Sequence, residues 1–234
     1  MQINKYISNS GFCSRREAEK LIEQARVTIN DELVELTARV YPGDMVAIDG
    51  EKIKNKQRAI YIAFNKPVGV TSTTDMKDKT NIISFINHPK RIFPVGRLDK
   101  DSEGLILLTN DGDIVNRILR AGNNNEKEYI VTVDQELSGE AIREMSQGVS
   151  ILGTRTKPCY IRQEAGRRFR IILKQGLNRQ IRRMCSHFGY KVKTLRRIRI
   201  MHIELGNLGL GKWRYLTPAE VTQLEKALEE SSNG

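Results

Sequence analysis

The stretch PVGRLDKDSEGLILLTNDGD, residues 94–113, joins an acidic turn to a strongly apolar run. Asp99, Asp101 and Glu103 lie close together, and the aliphatic side chains of residues 105–108 follow directly. A short continuous apolar run that is bounded by turn residues is typical of a buried β-strand. The stretch therefore predicts a turn that holds three carboxylates at the start of a core strand.

Calcium binding is the first interpretation of this turn. Asp99, Asp101, Glu103 and Gly104 would occupy positions 1, 3, 5 and 6 of an EF-hand loop. Position 12, which needs a bidentate glutamate, would be Asn110, and the residues before it are strand-like where an EF-hand would begin its second helix. The pattern therefore does not support a calcium loop.

Two interpretations remain open from these residues alone. In a surface loop, the acids would only solvate the start of the strand. In a catalytic loop, Asp99 would follow the basic Arg97 and would be held rigidly by the buried strand. Carboxylates on loops that a rigid scaffold positions are common in active sites.

The composition predicts a soluble protein that binds a polyanion. The 234 residues are 39% hydrophobic, which is enough for a core, and they carry a formal net charge of +11. Such an excess favours nucleic acid as the partner over an acidic membrane surface. No apolar run approaches the roughly 18 residues that a membrane span needs, and the N-terminus lacks a signal-peptide pattern. We expect a cytoplasmic monomer without a membrane partner.

The cysteines and histidines predict neither a metal site nor a disulfide framework. Each type occurs three times, without CxxC or HExxH spacing. We therefore expect reduced thiols and no bound metal. These residues are Cys13, Cys159, Cys185, His88, His187 and His202.

The positive charge is concentrated in one part of the chain. Residues 150–215 contain 17 of the 39 Lys and Arg residues but only two acids. Such a concentrated excess predicts a positively charged face on the second half of the protein.

The first 50 residues predict a compact module of two helices followed by short strands. Residues 14–17 form a capping box before an amphipathic helix, and Asn30-Asp31 predicts a turn between two strands. These pieces resemble the S4 RNA-binding domain, which implies that Arg15, Arg16 and Lys20 contact RNA phosphates. Ala25 and Asp31 stand where that family usually has glycine, at a cost of ~1 kcal/mol each. We predict an S4 domain over 1–52, a linker over 53–59 and a catalytic domain over 60–234.

From residue 59 onward the chain alternates strand-like and helix-like runs. The strand-like runs are residues 59–64, 104–109, 128–133, 169–174 and 195–205, and the helix-like runs are residues 81–86, 113–120, 138–149, 178–188 and 217–230. Several strand-like runs are adjacent with short turns, which predicts an α+β fold whose mixed, largely antiparallel sheet is flanked by helices. Neither a GxGxxG fingerprint nor a P-loop is present, so the sequence gives no sign of a dinucleotide, ATP or methyl-donor site.

The run GLNRQIRRMCSHFGY, residues 176–190, predicts a helix with one apolar face. Asn178 is the expected N-cap, and Gly189 is expected just after the C-terminus. Arg179, Arg182 and Arg183 lie off the apolar face. With residues 191–200 they would extend one basic surface, for which phosphate binding is the simplest explanation.

Five segments together resemble the RsuA/RluB/RluE/RluF family of ribosomal-RNA pseudouridine synthases. Gly-Arg-Leu-Asp followed by Ser-x-Gly-Leu is the most specific of these motifs, and the run at 117–129 is most similar to the RluF subgroup, which acts on 23S rRNA. With the S4 module, the resemblance covers essentially the whole chain. The segments are residues 65–75, 93–113, 127–133, 176–190 and 211–220.

The resemblance implies an isomerase that needs no cofactor. It implies that Asp99 is the catalytic carboxylate, that Tyr129 stacks on the target uracil, and that Arg182 pairs with Asp99. A carboxylate can attack or stabilise the sugar carbon C1′, or act on the base itself. The uridine must leave the RNA helix or lie in a loop, and Arg97 could support the displaced backbone. The alternative is a non-catalytic RNA-binding assembly factor with the same fold.

Overall fold

The computed structural model describes residues 1–53, 58–119 and 125–230. The centre of the predicted linker, residues 54–57, lies outside the described residues. The chain forms two compact units. The first comprises Met1–Ile60 with Pro89–Arg91 and Asn110–Gly112, and the second comprises the other described residues. The domain boundaries given above stay predictions.

The first unit contains two helices and a small antiparallel sheet with the strand order β2-β1-β3-β4. Its second helix begins with the predicted capping box: Ser14 Oγ accepts from Glu17 N at 3.1 Å, and Glu17 Oε2 accepts from Ser14 N at 2.7 Å. The elements are α1 (Ile3–Asn9), α2 (Arg15–Glu23), β1 (Val27–Ile29), β2 (Glu32–Leu33), β3 (Val46–Ile48) and β4 (Glu51–Lys52).

The core of this unit lies between the two helices and the sheet. Ile3 and Ile7 of α1 pack with Ala18 of α2 and with β-strand residues. Ala25 and Asp31 have φ angles of 54° and 70°, in the left-handed region that favours glycine. Both are therefore turn positions, as predicted, and each retains a side chain at a position where glycine would be less strained.

The second unit combines a large sheet with five helices among its described residues. The helices are α3 (Ile82–Ile86), α4 (Gly112–Leu119), α5 (Gly139–Gln147), α6 (Gln180–His187) and α7 (Pro218–Glu230). The strands are β5 (Tyr61–Lys66), β6 (Phe93–Val95), β7 (Glu103–Thr109), β8 (Lys127–Val133), β9 (Ser150–Ile151), β10 (Thr154–Arg155), β11 (Tyr160–Ala165), β12 (Arg168–Leu173), β13 (Val192–Ile200), β14 (Ile203–Glu204) and β15 (Trp213–Tyr215).

The sheet has the strand order β11-β12-β8-β13-β7-β5-β15. In addition, β6 pairs with β7 and β14 pairs with β13. Among the described strands, only β7 and β13 pair in parallel. The prediction of an α+β fold with a mixed, largely antiparallel sheet is confirmed. Leu105 to Leu108 of β7 are all buried, because β7 lies inside the sheet and helices such as α4 and α7 pack on it.

The five helix-like runs that the sequence predicts beyond residue 60 are all helices in the structure. The strand-like runs are confirmed as well. Five short or polar strands were not predicted, namely β6, β9, β10, β11 and β15. None of the helices that the structure describes is long and apolar enough to cross a membrane.

Candidate active site

The turn 96–102 leads into β7 and carries Asp99. The buried Ser72 fixes this turn, because its Oγ donates to Leu98 O at 2.8 Å and accepts from Leu98 N at 3.2 Å. Ser102 N donates to Asp99 O at 3.1 Å and closes the turn. Backbone hydrogen bonds on both sides therefore position Asp99, whose side chain keeps 36% of its surface exposed.

Arg179 makes the shortest contacts with the carboxylates of Asp99 and Asp101 in the acidic turn. Its Nη1 donates to Asp99 Oδ2 at 3.2 Å and to Asp101 Oδ1 at 3.1 Å, and its Nη2 donates to Asp101 Oδ2 at 3.0 Å. The pair with Asp101 is bidentate, which is the strongest geometry between a guanidinium and a carboxylate. The hydrogen bonds from Arg179 hold the pKa of Asp101 below its usual value.

Arg182 supports the same turn from a more buried position, with 14% of its side chain exposed. Its Nη2 donates to Asp101 O at 2.9 Å and to Ser102 Oγ at 3.0 Å. Its Nε lies 3.9 Å from Asp99 Oδ2 and is a buried donor without a hydrogen-bond partner among the described residues. The pairing of Arg182 with Asp99 stays a prediction, and the structure adds Arg179 as a second cation beside that carboxylate.

The start of α6 differs from the prediction. Arg179, not Asn178, is the N-cap, with φ 49° and ψ 36° and without a side-chain capping hydrogen bond. The reason is that the Gln180 side chain folds back and accepts a hydrogen bond from Leu177 N at 3.1 Å. This turn brings Arg179 to the acidic loop. The predicted helix end is confirmed, since Gly189 follows the C-cap with a φ of 79°.

A row of four residues crosses the sheet next to the turn. Lys66 of β5 pairs in register with Gly104 of β7, Gly104 pairs with Arg197 of β13, and Arg197 pairs with Tyr129 of β8. A Cβ atom on Gly104 would lie 2.2 Å from the backbone oxygen of Arg197. The glycine of the Ser-x-Gly-Leu motif is therefore required by the close approach of β7 and β13.

Lys66 is fully buried at one end of this row. Its Nζ donates to Pro67 O at 3.0 Å and to Val70 O at 2.8 Å, so that it holds the turn after β5. Burial lowers the pKa of Lys66 to about 8, although the negative charges of Asp101 and Asp99 oppose this fall.

Tyr129 and Arg197 of the row, together with most of the turn, line one cleft of about 880 Å³. Asp99, Tyr129 and Arg182, the three predicted catalytic residues, all line it, together with Arg97 and Arg179. The structure therefore brings together side chains that are up to 85 positions apart in the sequence. In the part of the chain that the structure describes, no group of three or more His, Cys, Asp or Glu side chains could hold a metal ion.

The other predicted RNA-binding residues lie elsewhere. Arg183 is exposed, and its guanidinium donates to Asn178. Arg15, Arg16 and Lys20 are exposed on α2 of the first unit, away from its buried residues. Their roles in RNA binding stay predictions.

The prediction that residues 191–200 extend one basic surface is wrong for two arginines, Arg197 and Arg199. Arg197 is only 3% exposed, because it lies on a central strand between Gly104 and Tyr129 and its Nε donates to Leu105 O. Arg199 Nε donates to Glu128 Oε2 at 2.6 Å, and Glu128 also accepts from Arg170. Part of the concentrated positive charge is therefore buried or neutralised on the sheet.

Sequence reasoning missed Lys66, Lys127 and Arg197 as cleft or near-cleft cations. Lys127 also lines the cleft, two residues before Tyr129. The period of two along a strand could have placed Lys127 on the side of Tyr129. No comparable signal was available for Lys66 or Arg197, because their positions depend on strand register.

Comparison with known proteins assigns the family. The RNA pseudouridylate synthase family matches residues 60–187, and the S4 domain family matches residues 1–46. The chain therefore belongs to the RNA pseudouridylate synthases, and it carries an S4 domain. It is an isomerase that converts uridine to pseudouridine in RNA.

Known relatives match this chain over essentially its full length, and their names agree with this assignment. The chain is 55% identical to the dual-specificity RNA pseudouridine synthase RluF of Escherichia coli K12, over 100% of this chain and 81% of that protein. It is 32% identical to the ribosomal large subunit pseudouridine synthase B of Bacillus subtilis, over 99% and 98% of the two chains. A crystal structure of a pseudouridylate synthase superposes with a TM-score of 0.71 at 29% identity, covering 96% of this chain and 99% of that one. The resemblance to the RluF-type enzymes is confirmed.

Proposed function

We propose that this enzyme isomerises a specific uridine of 23S ribosomal RNA, with Asp99 as the catalytic carboxylate. The observation that carries the proposal is the position of Asp99: it lines the cleft that Tyr129 also lines, and Arg179 and Arg182 hold its turn. The name of the Bacillus subtilis relative, a ribosomal large subunit pseudouridine synthase, supports RNA of the large ribosomal subunit as a substrate.

The proposed reaction uses Asp99 at the sugar. The bond between N1 and C1′ breaks, its electron pair leaves with the uracil, and the Asp99 carboxylate stabilises or attacks the electron-deficient C1′. The uracil then turns, and C5 forms a bond to C1′ while any bond between C1′ and the Asp99 carboxylate breaks and its electron pair returns to the carboxylate. A proton leaves C5 and a proton is taken up at N1, so that substrate and product are isomers. No cofactor takes part in this sequence.

Tyr129 and Arg97 have supporting roles in this proposal. Tyr129 stacks on the target uracil and is placed to assist the loss of the C5 proton. Arg97, two residues before Asp99, supports the RNA backbone where the target base has been flipped out. Arg182 keeps the Asp99 turn in position, since it donates to both the backbone and a side chain of that turn.

RNA docking is assigned to exposed cations of both units. Arg15, Arg16 and Lys20 of the S4 domain and Arg183 of α6 contact phosphates of a structured stem-loop. Arg179 adds a further cation at the edge of the cleft. We propose that the enzyme works as a cytoplasmic monomer without a membrane partner or a small-molecule cofactor.

Mapping pseudouridine in total RNA tests the substrate. We expect one or more 23S positions to lose the modification in cells that lack this gene and to regain it when the gene is returned. A loss confined to other RNAs would contradict the 23S proposal, and unchanged maps would contradict the proposed cellular role.

The S4 domain is expected to supply affinity rather than chemistry. Replacing Arg15, Arg16 and Lys20 together with Ala should raise KM by roughly 10-fold or more and lower the salt dependence of binding by roughly one unit of slope per lost contact. The single-turnover rate at saturating RNA should stay within about 2-fold. The control is Glu23→Ala, an exposed change on the same helix, which should bind at least as tightly. A fall in the saturating rate would contradict a pure docking role.

The arginines of α6 are expected to divide into two groups. Arg182→Ala removes two hydrogen bonds to the Asp99 turn, so its single-turnover rate should fall at least ~10-fold even at saturating RNA. Arg179→Ala should also lower this rate, because it removes the hydrogen bond to Asp99. Arg183→Ala should weaken only RNA binding. Equal effects of Arg182→Ala and Arg183→Ala on rate and salt slope would contradict the role of Arg182.

A further inference from the structure

The wall of the cleft beside Tyr129 carries two cations that have no role in the proposed reaction so far. Lys127 precedes Tyr129 by two residues on β8, so both side chains lie on the same side of the strand, about 7 Å apart. Arg197 is the register partner of Tyr129 on β13, and its Cζ lies 6.0 Å from the centre of the Tyr129 ring. All three residues line the cleft.

Both cations have hydrogen-bond donors that the protein leaves unused. Arg197 donates from Nε to Leu105 O at 2.6 Å, but its Nη2 is buried and has no partner in the described part of the chain. Lys127 Nζ donates to Asn125 O at 3.2 Å, and no carboxylate of the described residues forms an ion pair with it. Burial, reinforced by the nearby Arg197, lowers the pKa of Lys127 to about 8.

This arrangement is unfavourable by itself, because two like charges share a poorly solvated region. The acids of the turn do not relieve it, since Asp99 and Asp101 are engaged by Arg179. A ligand that brings negative charge to this wall would be stabilised. The two cations therefore indicate a subsite for an anionic group.

The neighbours of Lys127 define the shape and polarity of that ligand. Its register partners are Leu173 on β12 and Ile200 on β13, and both of these apolar side chains line the cleft. A hydrated phosphate is poorly matched to apolar walls. A flat ring with a delocalised charge and two carbonyl oxygens is well matched, because its faces can contact apolar groups while its edge accepts hydrogen bonds.

We infer that Lys127 and Arg197 form a subsite that stabilises the detached uracil anion during the isomerisation. The inference deepens the proposed function and rests on its placement of the uracil against Tyr129. Lys127 is a catalytic residue in this scheme because its ammonium donates to a carbonyl oxygen of the base. Arg197 supplies a second, more deeply buried charge.

The chemistry requires such a group. When the N1–C1′ bond breaks, its electron pair leaves on the uracil, where the charge is shared among N1, C5 and the two carbonyl oxygens. Donors that are fixed where this charge develops lower the barrier, because they need little reorganisation. The charge disappears when C5 has bonded to C1′, the C5 proton has left and N1 has taken up a proton. Lys127 and Arg197 would thus retain the free base until C5 faces the sugar.

Lys127→Met tests the inference in the full-length enzyme. The substrate is a synthetic stem-loop around the mapped uridine, prepared with either uridine or 5-fluorouridine at that position. We expect the single-turnover rate of N1–C1′ cleavage at saturating uridine RNA to fall at least ~10-fold. Fluorine makes uracil a better leaving group, so the ratio of the 5-fluorouridine rate to the uridine rate should rise at least ~2-fold in the variant. Lys127→Arg should recover part of the rate.

The control is Lys226→Met, which removes one exposed positive charge from α7 and should leave both rates within about 2-fold. Unchanged cleavage by Lys127→Met would overturn the inference. Weaker binding with a shallower salt slope but an unchanged saturating rate would identify a phosphate contact and would also overturn it. Arg197→Lys, if it folds, should also raise the ratio of the 5-fluorouridine rate to the uridine rate. A different variant tests the proposed function: that function is contradicted if Asp99→Asn remains active.

Discussion

Replacing Asp99 with Asn is expected to lower turnover at least ~10⁴-fold while leaving RNA binding within a few-fold of the native enzyme. The amide has nearly the same size and can still accept a hydrogen bond from Arg179. It cannot stabilise positive charge on C1′, and it is a poor nucleophile. The measurement is pseudouridine formation in a single turnover at saturating RNA, combined with a binding titration of the same RNA.

Asp101→Asn is the matched control for this change. Asp101 belongs to the same turn and makes more contacts with Arg179 than Asp99 does, but among the described residues it is not part of the cleft lining. We expect Asp101→Asn to lose less than ~10-fold in rate, through a looser turn. If the two variants lose activity equally, the charge of the whole turn matters and Asp99 has no special role. An active Asp99→Asn enzyme would refute the proposed mechanism.

The elements of the fold could be predicted where their pattern is local. The apolar run 105–108 predicts β7, and the capping box at Ser14 predicts the start of α2, because each pattern is complete within a few residues. The polar strand β11 could not be predicted in this way. Its residues Tyr160 to Ala165 lie at the edge of the sheet and are largely exposed, so that they lack an apolar alternation.

The candidate site was predictable in its named residues but not in their contacts. Asp99, Tyr129 and Arg182 follow from the motifs, and the structure places all three in one cleft. The inward position of Arg197 does not follow from sequence, because β13 has irregular register on both sides of it and the nearby Arg196 and Arg199 are also basic. The contact of Arg179 with Asp99 depends on a left-handed N-cap that the sequence did not indicate.

Gly104→Ala is expected to lower strongly the stability of the sheet that supports the site. The added Cβ would lie 2.2 Å from the oxygen and 2.7 Å from the nitrogen of the Arg197 backbone. Neither atom can move away without breaking the parallel register of β7 with β13, which includes only two residue pairs. The φ of Gly104 is also 106°, where a side chain is strained. We expect a loss of at least ~3 kcal/mol in the free energy of unfolding, or insoluble protein.

Gly189→Ala separates the two causes of this loss. Gly189 has a φ of 79° but nothing within 4 Å of an added Cβ, so Ala there should cost only about 1 kcal/mol. Urea denaturation can be followed by the fluorescence of Trp213, the single tryptophan, which lies on β15 and therefore reports on the second unit. If Gly104→Ala and Gly189→Ala destabilise this unit equally, backbone strain alone explains the glycine. A clearly larger loss for Gly104→Ala, accompanied by loss of activity in any folded fraction, would show that the contact of β7 with β13 holds Asp99 and Tyr129 at the same cleft.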